Sequence, residues 1–82
     1  MNNYYVIEIQ TNADGTSGFI PFGFPDEGST EGKYLALREA ARQSNVLIHT
    51  VMAITNKGLP VSPKMPPVSY IHHATEPEQA AE

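Results

Sequence analysis

The sequence predicts an α+β fold in which one helix packs on one face of a small sheet of three or four strands. Three observations predict it: a strand pattern near the N-terminus, a single amphipathic helix pattern, and an apolar strand pattern directly after the helix. The expected order of elements is strand, long loop, helix, strand and strand. A chain of 82 residues is long enough for one domain, which we expect to span residues 1–73.

The first predicted strand spans residues 4–10, where aromatic and β-branched side chains dominate, as they do in half-buried strands. Alternate side chains point to opposite faces of a strand, so this segment presents two different faces. One face carries Tyr5, Ile7 and Ile9, and the other carries Tyr4, Val6, Glu8 and Gln10.

Residues 11–28 are predicted to form a long loop rich in glycine, phenylalanine and proline. Its two prolines at positions 21 and 25 argue against a central strand, and a connection of this length is often a lid, a binding loop or an edge strand. The loop contains Phe19, Phe22 and Phe24, which are candidates for binding a partner or a ligand. The alternative is that they fold back over the domain's own sheet.

The helix is predicted over residues 29–45, with Ser29 or Thr30 as its N-cap. A stripe at spacings of three and four is expected to face the sheet, and it consists of Tyr34, Leu37, Ala40, Ala41 and Ser44. Leu35, Arg38 and Arg42 lie away from this stripe and form a candidate docking patch. The alternative interpretation of this patch is a solvated helix face.

The second strand is predicted over residues 46–55, and both of its faces are largely apolar. If it neighbours the first strand, we expect the helix to be a right-handed crossover between two parallel strands. One helix covers only one face, so we expect a second copy of the chain on the other face or at an edge. The candidates for this homodimer or higher-oligomer interface are Tyr4, Val6, Leu47, His49 and Val51.

The C-terminal third of the chain is predicted to contain a turn and two short strands. Residues 56–58 form the turn, residues 59–62 return as a short strand, and residues 68–73 form one more. Residues 74–82 are acidic and have no bulky apolar side chain, so we expect a flexible tail.

The sequence has no pattern typical of a catalytic or metal site. His72 and His73 are consecutive, so they would point to opposite faces of a strand, and His49 is distant from both. Glu8 and His49 could pair across adjacent strands, which is half of a general-base arrangement. No nucleophile or second acid has an evident place beside them, so we interpret the pair as a structural contact. We expect no enzyme activity, no catalytic residue, no metal and no cofactor.

Composition narrows the classes of partner. The net charge of −4 and the pI of about 5.2 argue against direct nucleic-acid binding and are compatible with a basic protein surface as partner. No segment is long and apolar enough to span a membrane, and residues 1–3 lack the basic and apolar regions of a signal peptide. The absence of cysteine fits a reducing compartment, so we expect a cytoplasmic protein.

Three segments carry a resemblance to a known group of proteins. They are Tyr4-Tyr5-Val6-Ile7-Glu8-Ile9-Gln10, the alanine-rich helix at residues 36–41, and His49-Thr50-Val51 ahead of Gly58. Over residues 4–58 the chain resembles small uncharacterised proteins from phages and prophages of Gram-positive gut bacteria. The resemblance implies a phage accessory protein in the host cytoplasm.

We therefore expect a non-enzymatic protein that binds a larger host protein stoichiometrically, with an anti-defence inhibitor of the anti-CRISPR kind as its most concrete form. One alternative is an oligomeric sponge that sequesters a nucleotide-like anion, with Tyr4, the phenylalanine loop, and Arg38 or Arg42 from two subunits lining its pocket. Another alternative is a minor virion or assembly component.

Overall fold

The fold is a four-stranded antiparallel sheet with one helix on one face, which confirms the predicted α+β class. A computed structural model describes residues 2–72, so the predicted tail at residues 74–82 lies outside the described residues. The elements in chain order are β1 (Tyr4–Thr11), β2 (Ser17–Phe24), α1 (Glu27–Arg42), β3 (Ile48–Thr55) and β4 (Val68–Ile71). The order of strands across the sheet is β2-β1-β3-β4.

Strand β2 lies inside the segment predicted to be a loop, so the loop prediction was wrong for residues 17–24, and the alternative of an edge strand is confirmed. A tight turn at Gly15, where φ is +91°, reverses the chain and lets β2 pair with β1. Strand β2 is at the edge of the sheet, where a proline is tolerated because only one side of the strand needs its N–H groups for pairing. This position explains how Pro21 can lie within a strand.

The hairpin also overturns the expected parallel crossover. Strands β1 and β3 are neighbours, but they are antiparallel, with Tyr4 opposite Thr55 and Thr11 opposite Ile48. Strand β2 reverses the chain direction once before the helix, so the helix delivers β3 in the direction opposite to β1. The presence of β2 in the predicted loop is therefore the reason why the observed sheet topology differs from the predicted one.

Helix α1 begins two residues before the predicted start. Its N-cap is Asp26, whose carboxylate accepts the backbone N–H of Ser29 at 2.7 Å. This hydrogen bond lowers the pKa of Asp26 below its ordinary value. Ser29 and Thr30 are therefore not caps: Thr30 is fully buried, and its hydroxyl donates to the backbone carbonyl of Asp26. The helix ends at Arg42, before the predicted stop at Asn45.

The connection between β3 and β4 differs in part from the prediction. Gly58 takes a positive φ in a turn, as expected, but the short return strand is reduced to one bridge between Ile54 and Pro60. Strand β4 is four residues long rather than six. The core lies between α1 and the sheet, and its buried apolar members are Val6, Tyr34, Ala41, Val51, Ala53 and Met65.

Candidate functional site

The two faces of the sheet differ in what covers them. We call the face beneath α1 the covered face; it carries the buried side chains Val6, Glu8, His49, Val51 and Ala53. The strand registers place every alternate side chain on the opposite face, which we call the open face. Its members are Tyr5, Ile7, Ile9, Thr11, Ser17, Phe19, Pro21, Gly23, Ile48, Thr50, Met52, Ile54, Ser69 and Ile71.

The open face is apolar at its centre and has no charged side chain. None of its residues is fully buried, and none belongs to the core cluster. Phe19 is 67 % exposed and Ile71 is 62 % exposed, which is high for large apolar side chains. Contiguous apolar surface of this kind marks an interaction site more often than free protein surface.

Three of the five predicted interface residues are buried within the chain itself. Val6 and Val51 are 0 % exposed and His49 is 3 % exposed, so the chain's own helix and core occupy the space above them. Tyr4 shares their face and is half-buried, while Leu47 precedes β3 and is also half-buried. The sequence predicted that one apolar face of the sheet is not covered by the helix. The residues named for that face on β1 and β3 lie on the covered face instead.

Glu8 and His49 form the hydrogen-bonded pair that their positions on adjacent strands predicted. The distance from His49 Nε2 to Glu8 Oε2 is 2.6 Å, and both side chains are at least nine-tenths buried. The amide of Gln10 also donates to Glu8 Oε2, at 3.2 Å. Two donors therefore converge on one carboxylate oxygen, which is how a buried carboxylate is tolerated inside a core.

The second ring nitrogen of His49, Nδ1, is buried and has no hydrogen-bond partner among the described residues. An unpaired polar atom inside a core costs stability. The pair thus leaves one ring nitrogen unsatisfied, and neither a hydroxyl nor a thiol of the described residues hydrogen-bonds to Glu8 or His49.

A pocket of about 280 Å³ opens beside this pair, at the hairpin end of β1 and β2. Three polar residues of β1 and its turn contribute to its wall, together with the start of β2. The lining residues are Glu8, Gln10, Asn12, Gly18, Phe19 and Ile20. This pocket was not predictable from the sequence, because its two walls meet only through the β1–β2 hairpin.

The three phenylalanines have different environments. Phe24 packs against the core cluster, and Phe22 is half-buried with the ammonium group of Lys33 at 4.2 Å from its ring centroid. Phe19 alone projects from the open face. Of the three binding candidates in the predicted loop, Phe19 is thus the one whose ring is available to a partner.

The candidate docking patch on α1 is only partly free. Leu35 is 41 % exposed, and the guanidinium group of Arg38 lies 5.5 Å from the ring centroid of Tyr34. Arg42 is bound by the carboxylate of Glu39, and their hydrogen bonds raise the pKa of Arg42 and lower the pKa of Glu39. Such an exposed pair adds little stability. Docking at this patch stays a prediction.

Within residues 2–72 no group of three or more histidines or carboxylates could hold a metal ion. His72 instead hydrogen-bonds through Nε2 to the carbonyl of Ala41 at 2.9 Å, tying β4 to the end of the helix. His73 lies outside the described residues. The single helix of this part of the chain is not long and apolar enough to cross a membrane.

Comparison with known proteins gave no match: no family model, no curated protein and no solved structure is significantly similar to this chain.

Proposed function

We propose that this chain is a non-enzymatic binding protein that functions as a homodimer through the open face of its sheet. The observation that carries the proposal is that a face rich in isoleucine and free of charge is left uncovered by α1. A chain of this size without disulfides has a small core, so burying a second apolar layer adds substantially to its stability.

A second copy of the chain suits this face better than an unrelated partner. In a two-fold dimer each residue meets the same face of its partner, so a single charge near the centre would meet a like charge. The open face has none, and two such faces can pack at roughly 10 Å, as in a β-sandwich. Residues 73–82 are a poor alternative cover, because alanines and one proline are their only apolar residues beside three glutamates.

The area of the face is sufficient for a dimer. Three strands of eight residues and one of four, at about 3.3 Å per residue and about 4.8 Å apart, give a face of roughly 450 Å² in projection. Two such faces bury on the order of 1,000 Å² or more, which reaches the lower limit for a specific interface.

Light scattering during size-exclusion chromatography tests the dimer. We expect wild type to elute with a mass of about 18 kDa, twice 9.0 kDa. Ile7→Glu places a charge on the central strand β1 of the open face and should give a folded monomer with an unchanged circular dichroism spectrum. Leu59→Glu, at a residue 59 % exposed outside the strands, is the matched control and should stay dimeric. A monomeric wild type at 100 μM would overturn the dimer.

The dimer is proposed to bind a larger host protein stoichiometrically, and an anti-defence inhibitor is the most concrete form of this role. The acidic charge of the chain and the resemblance to phage proteins support it. The test is the plating efficiency of a phage that the host's CRISPR system targets. Expression of wild type should raise it by orders of magnitude, whereas Ile7→Glu should not. No rise with wild type removes the anti-CRISPR form and leaves the dimer intact.

The nucleotide sponge is the weaker alternative. The pocket at the β1–β2 hairpin presents the carboxylate of Glu8, which repels a phosphate, and neither Arg38 nor Arg42 lines it. A role in virion assembly would rest on the same dimer, so it differs from the inhibitor only in the protein that the dimer binds.

A further inference from the structure

The pocket beside Glu8 offers a ligand hydrogen-bond acceptors and a negative charge. We propose that it binds an organic cation through a guanidinium group, either as a free small molecule or as an arginine side chain of a basic peptide. This inference is independent of the dimer, because it rests on the side chains at the hairpin end of β1 and β2.

The amide of Gln10 is oriented by Glu8. A carboxylate only accepts hydrogen bonds, so the amide nitrogen of Gln10 must face Glu8 Oε2, where it lies at 3.2 Å. The amide oxygen of Gln10 therefore points away from that contact and has no hydrogen-bond partner among residues 2–72.

The amide of Asn12 is oriented by the turn. The hydroxyl of Thr16 donates its proton to Asp14 at 2.7 Å, so it can only accept from Asn12, whose amide nitrogen lies at 3.1 Å. The amide oxygen of Asn12 is the atom left over. Glu8 Oε1 is also without a partner in the described chain, since His49 and Gln10 both use Oε2.

Three oxygens on alternate residues of one segment thus remain for a ligand, and one of them belongs to a carboxylate. Glu8 is only 8 % exposed, so little solvent screens an interaction between its carboxylate and a cation. A guanidinium group has five donors in a plane and no acceptor, which complements this lining. The pocket volume of about 280 Å³ is near the lower limit for ligand sites and suits a group of this size.

A metal ion is a poorer occupant of this pocket. Alternate residues of an extended strand are roughly 6–7 Å apart, whereas oxygens that share one Ca²⁺ or Mg²⁺ lie about 2.0–2.6 Å from the ion. The contact between Gln10 and Glu8 also holds one of the three side chains away from any common centre.

The test is a titration of ¹⁵N-labelled full chain followed by NMR, with ethylguanidinium as probe and neutral, isosteric ethylurea as its control. We expect ethylguanidinium to shift the side-chain amide signals of Gln10 and Asn12 and to bind at least roughly tenfold more tightly than ethylurea. Glu8→Gln keeps the shape of the side chain and should abolish that preference. Glu27→Gln makes the same change of charge in the first turn of α1, outside the pocket lining, and should retain the preference.

A second arm identifies the source of the cation, using the tripeptide Gly-Arg-Gly and its citrulline counterpart. Binding of the arginine peptide at least tenfold more tightly than ethylguanidinium assigns the site to a peptide side chain, and equal affinity assigns it to a small molecule. Equal shifts with ethylguanidinium and ethylurea would overturn the proposal. So would an undiminished preference in Glu8→Gln, or loss of ethylguanidinium binding on addition of Ca²⁺.

Discussion

The covered face and the open face of the sheet contrast in polarity, in a direction that hydropathy alone does not predict. The covered face contains Glu8 and His49, both buried, whereas the open face contains no charged residue. A protein that sorted its faces by polarity would place its helix on the other side. The polar pair is acceptable in the core because its members satisfy each other, and the apolar face stays available for contact.

The helix selects its face by shape as well as by polarity. Ala53 on β3 and Ala41 on α1 are both buried, and their small side chains let the helix sit close to the sheet. The side chain of Tyr34 fills the space beyond them, and its hydroxyl donates to the backbone carbonyl of Pro66. The open face presents isoleucines at the corresponding central positions, which give a broad flat surface that suits another sheet.

The largest expected effect comes from placing the same charge on each face at neighbouring positions of β3. Val51→Asp puts an unpaired carboxylate at a site that is 0 % exposed and should cost more than about 4 kcal/mol, enough to unfold a domain of this size. Met52→Asp puts it on the open face and should leave a cooperative urea transition. Its midpoint should no longer depend on protein concentration, as expected of a monomer.

Circular dichroism in urea, repeated over a hundredfold range of protein concentration, measures both variants. A folded Val51→Asp together with an unfolded Met52→Asp would reverse the assignment of the two faces.

The next effect concerns the polar pair in the covered face. His49→Phe leaves the buried carboxylate of Glu8 without its ring partner and should destabilise the chain by about 2–3 kcal/mol. Replacing both partners, as Glu8→Leu with His49→Phe, removes the unpaired charge and should recover most of that loss. The measurement is the free energy of unfolding of both single variants and the double variant. Additive losses would mean that the pair does not couple.

Much of the contrast between the covered face and the open face could be predicted from the sequence, because it follows from the periodicity of apolar residues. Alternation predicted β1, and spacings of three and four predicted the buried Tyr34 and Ala41 of the helix. The contact between Glu8 and His49 across adjacent strands was also predicted, but the two residues are diagonal neighbours rather than facing ones, since His49 faces Gln10. Which alternate set of side chains the helix covers was not readable, because both sets of β3 are apolar. That choice depends on the packing of Ala53 against the helix, which is a tertiary property.

The β1–β2 hairpin was hidden for a different reason. Its strand contains Pro21 and two glycines and follows a cluster of turn-forming residues, all of which are typical of loops. The position of β2 at the edge of the sheet makes these residues acceptable. The residues of β2 alone do not determine that position, because it depends on how the other strands pair. The pocket beside Glu8 was missed with it, because Gly18 and Ile20 reach that pocket only when β2 pairs with β1.

A smaller effect on the free energy of unfolding is expected from a substitution in α1, the helix over the covered face. Gly32 lies in the exposed interior of α1, and a Cβ there would have nothing within 4 Å apart from its chain neighbours and the backbone of its own helix. Gly32→Ala should therefore stabilise the chain by about 0.5–1 kcal/mol. Gly15→Ala is the opposing control and should destabilise it, because Gly15 has a φ of +91°. Thermal unfolding measures both, and a stabilising Gly15→Ala would contradict the turn geometry of the hairpin.

The smallest effect is the pH dependence of the helix cap. The hydrogen bond from Ser29 lowers the pKa of Asp26 below its ordinary value of 3.8, so the carboxylate binds protons less readily in the folded chain than in the unfolded chain. Its stabilising contribution is therefore complete above the unfolded pKa and is lost as the pH falls through the folded pKa. Asp26→Asn keeps a capping side chain that does not titrate in this range.

The difference in stability between wild type and Asp26→Asn isolates that contribution. The pKa values of Asp14 and Glu39 are also lowered, but both groups are present in the two proteins and cancel in the difference. We expect the advantage of wild type to be constant between pH 5 and 7 and to shrink below the ordinary pKa of 3.8. Urea unfolding at each pH measures it. An advantage that grows on acidification would mean that Asp26 is not the cap, and that the start of the helix over the covered face lies elsewhere.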